Sequence, residues 1–440
     1  MDKRILLGCF VIIMLFPVSF VGAKQLSEQD GMIPVEQWNK TFGGTGWESA
    51  ESLIETADGG YLLAGFTVPP GDFEDVAADM WLVKTDSNGN EQWNKTFGGI
   101  LEDAAVTVIE TAAGGYLAAG WTESSGAGDR DMWLVKTDSS GNEQWNKTFG
   151  GTRSDHTYSV IETAAGGYLA AGDTKSSGTG YDYMWLVKTD SSGNEQWNKT
   201  FGGTGVDINV AYSVIETATG GYLLAGDTSS YGAGLTDFWL VKTDNNGQTE
   251  WSTTFGGTGW EEAKAVIETA AGGYLLAGST DSFGAGDRDM WLVKTDSNGN
   301  EQWNKTFGGI FEDWASTVIE SAAGGYLLAG FTSFGALNKD VWLVKTDSNG
   351  NEQWNTTFGG PDVDIAYSVI ETAGDGYLLA GSTKSFGAGG TDAWLVKIGT
   401  PTNGQTSTST STNGQVPSFL FIPLISAIII LSRRRKPRME

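Results

Sequence analysis

The sequence predicts an all-β, seven-bladed β-propeller with four antiparallel strands in each blade, and three observations carry that prediction. The first is a period. Trp38, Trp93, Trp145, Trp197, Trp251, Trp303 and Trp354 recur at spacings of 55, 52, 52, 54, 52 and 51 residues, each opening a W-x-x-T-F-G-G segment. The second is the interior of the repeat, where S-V-I-E-T, G-G-Y-L-L-A-G-x-T and D-x-W-L-V-K-T-D recur between Gly, Asn and Asp clusters. Such short runs rich in β-branched and aromatic residues read as strands, and no stretch inside 36–398 holds a helical period. The third is an offset at the ends of the array. The chain enters on a lone outermost strand, 36–42, and leaves after a third strand, 394–398. Pairing these two closes the ring and removes the last exposed edge, whereas an open solenoid leaves 36–42 without a partner.

Taken in order, blade 1 places strand A at about 50–56, B at about 60–66, C at about 80–85 and D at about 91–97. Asp58-Gly59-Gly60 turns A into B, and Asp86-Ser87-Asn88-Gly89-Asn90 turns C into D, each with a Gly able to take positive φ. Blade 1 also has the longest B–C loop, Val68–Ala78, with Pro69-Pro70. Fourteen of the 18 Trp fall in strands C and D and read as blade-to-blade packing.

W-x-K-T-F-G-G, D/A-G-G-Y-L-L-A-G-x-T and W-L-V-K-T-D-x-x-G-N together resemble the repeats of a large group of extracellular propeller-like proteins of archaea and bacteria, over Glu36–Ile398. The resemblance implies the fold and supplies no common catalytic residue. The D-x-x-G-x-x-x-W hairpin is also similar to the Trp-docking turn of quinoprotein dehydrogenases and to the Asp box of sialidases, with a spacing one residue different.

The flanks suggest export and tethering. Residues 1–23 read as a signal peptide: Lys3 and Arg4, an apolar stretch from Ile5 to Phe20, then Val21-Gly22-Ala23. Cleavage there removes the sole cysteine, Cys9, and with it disulfides, thiol catalysis and cysteine metal sites. Residues 24–35 lead into the propeller at 36–398. Residues 399–415 read as a Ser/Thr-rich stalk, 416–432 as a short transmembrane or sorting segment, and 433–440 as a basic cytoplasmic tail. This arrangement resembles the C-terminal sorting signals of prokaryotic surface proteins. The formal net charge is −27, more negative still without the basic ends, which excludes nucleic acid as a partner.

In a propeller the D–A and B–C connections share one face and the A–B and C–D turns the other. The second face is monotonous. Its seven I-E glutamates (Glu55, Glu110, Glu162, Glu216, Glu268, Glu320, Glu371) and seven L-V-K lysines (Lys84, Lys136, Lys188, Lys242, Lys294, Lys345, Lys397) suggest framework ion pairs or a solvated rim.

The first face carries the variation. Seven positions before each I-E glutamate stand Glu48, Asp103, Asp155, Asn209, Glu261, Asp313 and Asp364. Two before each strand C Trp stand Asp79, Asp131, Tyr183, Asp237, Asp289, Asp340 and Asp392. Two acidic rings on one face suit Ca²⁺, with Glu48, Asp103, Asp155, Glu261, Asp313 and Asp364 as candidate ligands. The competing account has each Asp bonding backbone N–H groups at a strand entrance.

The four remaining Trp, Trp47, Trp121, Trp260 and Trp314, all map to this face, where Trp beside carboxylates serves sugar stacking or a protein interface. The domain's only Arg residues (Arg130, Arg153, Arg288) and its one His, His156, lie there too, and Arg130, Arg153 and His156 come from adjacent loops that would form an anion pocket. His156 has no oriented partner in the sequence, and no Ser nucleophile elbow, His cluster or phosphate loop appears. Six sequons repeat at strand D: Asn39, Asn94, Asn146, Asn198, Asn304 and Asn355, the fifth copy having Ser252 instead.

The functional expectation is a monomeric, surface-tethered, non-enzymatic binding or adhesion propeller that takes carbohydrate or a protein partner on its D–A/B–C face. A secreted glycan-active enzyme and a structural surface-coat component are the alternatives.

Overall fold

The computed structural model describes residues 33–71, 77–177, 181–203, 207–333, 338–372 and 376–399. These residues form seven four-stranded antiparallel sheets, six of them built from consecutive strands. Blade 1 consists of strands A Trp47–Glu55, B Tyr61–Val68, C Asp79–Thr85 and D Glu91–Phe97, in that order from the ring centre outward. Blade 7 is the exception: Asp364–Thr372, Gly376–Thr383 and Asp392–Gly399 supply A to C, and the first strand of the chain, Val35–Phe42, supplies D. The closing register runs from Val35 opposite Gly399 to Phe42 opposite Ala393. Gly399, expected to open the stalk, instead ends the last strand, and the signal, the rest of the stalk, the apolar segment and the basic tail lie outside the described residues, as does the middle of the blade 1 B–C loop. Among the described residues no helix is long and apolar enough to cross a membrane.

The core lies between blades, not within them. Between blades 3 and 4, Leu169, Ala171, Met184 and Leu186 pack against Ala211, Val214, Tyr222, Leu224, Trp239 and Val241. The small Ala on strand A lets neighbouring sheets approach at the crowded centre, and the strand C Trp fills the wider gap farther out. Strand D adds a second clamp. A Cβ on Gly193, in the C–D turn of blade 3, would stand 2.7 Å from the ring of Trp145 in blade 2. The same contact recurs at Gly89 with Trp38, Gly141 with Trp93, Gly247 with Trp197, Gly299 with Trp251 and Gly350 with Trp303. Six of the seven outer Trp therefore lie over the bare Gly of the next blade's turn; the seventh, Trp354, faces blade 7, whose strand D comes from the other end of the chain.

The rings of Glu and Lys on the A–B/C–D face take a different form from direct pairing. Lys136 is 3% exposed, and its ammonium donates to the carbonyls of Gly114 and Thr137, both at 2.8 Å. Lys188 and Lys294 repeat this beneath their own turns. The glutamates instead accept backbone N–H groups from the preceding blade: Ala57 to Glu110 at 2.8 Å, Ala112 to Glu162 at 2.7 Å and Ala164 to Glu216 at 2.7 Å. For the lysines, which are buried, the turn carbonyls satisfy an ammonium that would otherwise stand unpaired away from water, and a screened Lys–Glu pair offers little in comparison.

Candidate functional site

Every strand A carries a bulge at one position, where two of its residues oppose one on strand B. The register shifts fall at Ala50/Ser52, Ala105/Thr107, Thr157/Ser159, Ala211/Ser213, Ala263/Ala265, Ala315/Thr317 and Ala366/Ser368. A bulge leaves its extra residue out of the ladder and re-aims its side chain. Here the seven extra residues, Glu51, Val106, Tyr158, Tyr212, Lys264, Ser316 and Tyr367, all line one central cavity of about 730 Å³. Sequence reasoning missed them. The signal was present as a column four residues before each I-E glutamate, which varies while its neighbours repeat.

Toward the D–A/B–C face stands a second level of varied residues, of which Phe66, Trp121, Trp314 and Phe331 line the same cavity. Phe66 lies opposite Ser49 across the A–B ladder, Trp121 opposite Ala104, His156 opposite Asp173, Val210 opposite Asp227 and Trp314 opposite Phe331. Cations cover the aromatic faces here. The Arg130 guanidinium lies 4.0 Å from the Trp121 ring centroid, Arg288 lies 4.7 Å from that of Trp314, Lys339 4.0 Å from Phe331 and Lys264 3.5 Å from Tyr212. Carboxylates hold each cation in turn: Glu102 and Glu123 for Arg130, Asp281 for Arg288, Glu312 for Lys339 and Glu262 for Lys264. Trp121 and Trp314 thus offer a sugar less open face than the sequence suggested, whereas Trp47 and Trp260 stand 41% and 42% exposed. Arg130, expected in an anion pocket, is already bound by two carboxylates.

His156 does have an oriented partner. Its Nδ1 lies 3.2 Å from Asp173, and Tyr158 also bonds that carboxylate. Burial and then Asp173 raise the Asp182 carboxyl above its ordinary value. Asp227, behind Tyr212, is pushed up to about 8 by burial and by Glu262, with Lys264 opposing. Tyr158 and Tyr212 are shifted far upward, by burial first, and their rings pack 5.1 Å apart. Arg153 contributes its backbone N–H to Ser176 at 3.1 Å.

The acidic rings meet at the blade junctions. A Cβ on Gly150 would lie 2.2 Å from Asp131 Oδ1 and 2.5 Å from Asp155 Oδ2. The candidate metal ligands bond protein donors. Asp103 accepts from Gly99 N–H at 2.9 Å and Ser124 Oγ at 2.7 Å; Asp155 accepts from Gly151 N–H, Ser176 Oγ and Thr174 Oγ1. Glu48 accepts from Gly44 N–H and Thr67, Glu261 from Gly257 N–H and Thr280, Asp313 from Gly309 N–H, and Asp364 from Gly360 N–H and Ser385. Among the described residues no group of three or more His, Cys, Asp or Glu could hold a metal ion. The sequon asparagines sit on the outermost strands. Asn94, Asn146, Asn198, Asn304 and Asn355 are exposed and Asn39 is half-buried, and the Asn94 amide donates to Glu91 at 2.6 Å.

The exposed large apolar side chains show a further asymmetry. Apart from Ile33, every one among the described residues stands on the D–A/B–C face: Ile100 and Leu101, Ile310 and Phe311, Tyr181, Ile208, Tyr231, Leu235, Phe283, Phe386, Trp47 and Trp260.

No protein-family model matches the chain, and no curated protein matches it. Its fold is similar to a crystal structure of a protein of unknown function from Dyadobacter fermentans, at 12% identity and a TM-score of 0.51, covering 84% of this chain and 100% of that one. Sqt1 from Chaetomium thermophilum is similar at 13% identity and a TM-score of 0.46, covering 78% and 83%. The Pan2 WD40 domain of Neurospora crassa is similar at 8% identity and a TM-score of 0.47, covering 83% and 98%.

Proposed function

We propose that the chain is a non-enzymatic binding propeller whose partner is a protein seated on the D–A/B–C face. One observation carries the reading: among the described residues, all the exposed large apolar side chains but Ile33 stand on that face. Contiguous exposed apolar surface marks interaction sites, and aromatic residues with Arg are the residue types that anchor protein interfaces. All three Arg of the propeller lie on the same face. The coverage of Trp121 by Arg130, of Trp314 by Arg288 and of Trp47 by Lys384 favours protein over carbohydrate. The reading also keeps the protein outside the cell, tethered through its C-terminal segment.

Peptide display against residues 33–399, beside a glycan array with and without Ca²⁺, tests this. Selected peptides should lose at least tenfold affinity on Ile310→Ser/Trp260→Ser and keep it on Ser140→Glu, in the opposite face. Peptide binding that ignores the first variant, or binding to glycans alone, overturns the proposal.

One observation favours a glycan-active enzyme, the His156–Asp173 pair near the raised carboxyl of Asp227. Access weighs against it: Asp173 and Asp227 are 2% and 3% exposed.

A further inference from the structure

The cavity contains one charge with no counter-charge. The Glu51 carboxylate, on the cavity wall at the bulge of blade 1, has a single hydrogen-bond partner among the described residues, Ser49 Oγ at 2.6 Å. Burial pushes the Glu51 carboxyl above its ordinary value, as removal from water does to an uncompensated anion. The cations near the cavity are committed elsewhere. Lys264 lies over Tyr212 and pairs with Glu262 at 3.5 Å, while Lys339 pairs with Glu312 at 2.8 Å.

Above Glu51 the cavity wall carries an apolar collar that includes Phe66, Trp121, Phe331 and Ile365. The collar residues pair at the level of Ser49, two residues nearer the face than Glu51. Two residues of strand measure about 6–7 Å. The methylenes and ammonium of a lysine side chain, fully extended, reach about the same distance.

We propose that this cavity receives a lysine side chain of the protein partner, its methylenes passing the collar and its ammonium meeting Glu51. The deduction rests on the face being a protein-binding surface and names the chemistry the partner presents there. Ammonium fits better than guanidinium, because Ser49 occupies one region of the carboxylate and leaves a point contact instead of the two parallel acceptors an arginine fork uses. A divalent cation fits less well, since Glu51 has no second carboxylate beside it and Ca²⁺ takes six to eight oxygens. The collar supplies apolar surface to the stem while the charged tip finds its partner, the division long basic side chains favour.

The test uses n-butylammonium, the lysine side-chain analogue, titrated into the full chain by calorimetry at pH 7.5, with butan-1-ol as the neutral analogue of the same length. The amine should bind saturably and at least tenfold more tightly than the alcohol. Glu51→Gln should remove that preference while thermal unfolding shows the ring intact. Val106→Phe, which fills the cavity from blade 2 and leaves Glu51 charged, should weaken both ligands. Equal affinity for amine and alcohol, or a preference that survives Glu51→Gln, overturns the proposal. Display-selected peptides that bind the face in the absence of any amine binding would sink this inference and spare the protein-binding reading. Amine binding without any peptide binding would overturn the protein-binding reading and, with it, the assignment of the amine to a protein's lysine.

Discussion

Two glycines in blade 2 separate the contribution of the outer tryptophans from that of turn conformation. Gly114, in the A–B turn, has φ +85°, and a Cβ there would meet nothing within 4 Å. Gly141, in the C–D turn, has φ +76°, and its Cβ would stand 2.7 Å from Trp93 Cζ3 and 2.9 Å from Lys95 Cγ. Replacing either by Ala forces a left-handed residue, which costs about 1–2 kcal/mol. Gly141→Ala must in addition push the indole off the turn, and overpacking of this kind costs about 1–3 kcal/mol more. Urea unfolding should therefore place Gly141→Ala below Gly114→Ala by about 1–3 kcal/mol. In a Trp93→Ala background the difference should largely vanish, since the coupling belongs to that pair. Equal losses for the two variants, or a difference that persists without Trp93, would refute the claim that Trp-on-Gly contacts join neighbouring blades.

Two further outcomes follow from the carboxylate junctions and from ring closure. Burial, then Asp364, pushes Asp340 up to about 6. The folded state therefore holds the proton more tightly than the unfolded chain, and stability falls as pH rises from about 4 to about 6, with the full cost present above that range. Asp340→Asn should raise stability at pH 7.5 by about 1–2 kcal/mol, after allowance for partial exposure, and by much less at pH 4.5. Denaturant titrations at both values check this, and a loss at pH 7.5 would show that Asp340 is needed as a charge. Deleting the chain through Phe42 removes strand D of blade 7 and bares the edge of Asp392–Gly399. Size-exclusion chromatography should then show oligomers with a lowered unfolding temperature, whereas a monomer of unchanged stability would show that the closing strand is dispensable.

The seven-bladed ring, its strand order and its closure by 36–42 were legible because each rests on a pattern repeated seven times. Trp38 at the start and Trp394 near the end of the array imply the shared blade by register alone. The expected backbone capping by Asp103 and Asp155 was also readable, because Asp at a strand entrance has nearby N–H groups to accept. Harder to read was anything that depends on which column faces inward. Simple alternation along A-Y-S-V-I-E places Tyr212 on one face of its blade; the bulge between Ala211 and Ser213 turns it to the cavity instead. Nor does order in the chain reveal that Lys264 lies over Tyr212, or that Arg288 of blade 5 lies over Trp314 of blade 6. Those contacts arise where seven innermost strands converge, and the variation in the bulge column was the trace they left in the sequence.

Blade 7 also sets a clock on synthesis. Its outermost strand, Val35–Phe42, is among the first parts of the propeller to leave the ribosome, and its partner, Asp392–Gly399, is the last. At ordinary elongation rates the interval is on the order of tens of seconds. Blades 1 to 6 can form in turn during that time, each against its predecessor, because their contacts lie within neighbouring repeats. The first strand meanwhile remains an unpaired ribbon and the growing array an open arc. A chain stalled before Asp392 would therefore present Val35–Phe42 without its partner, a strand open to capture by the edge of another copy.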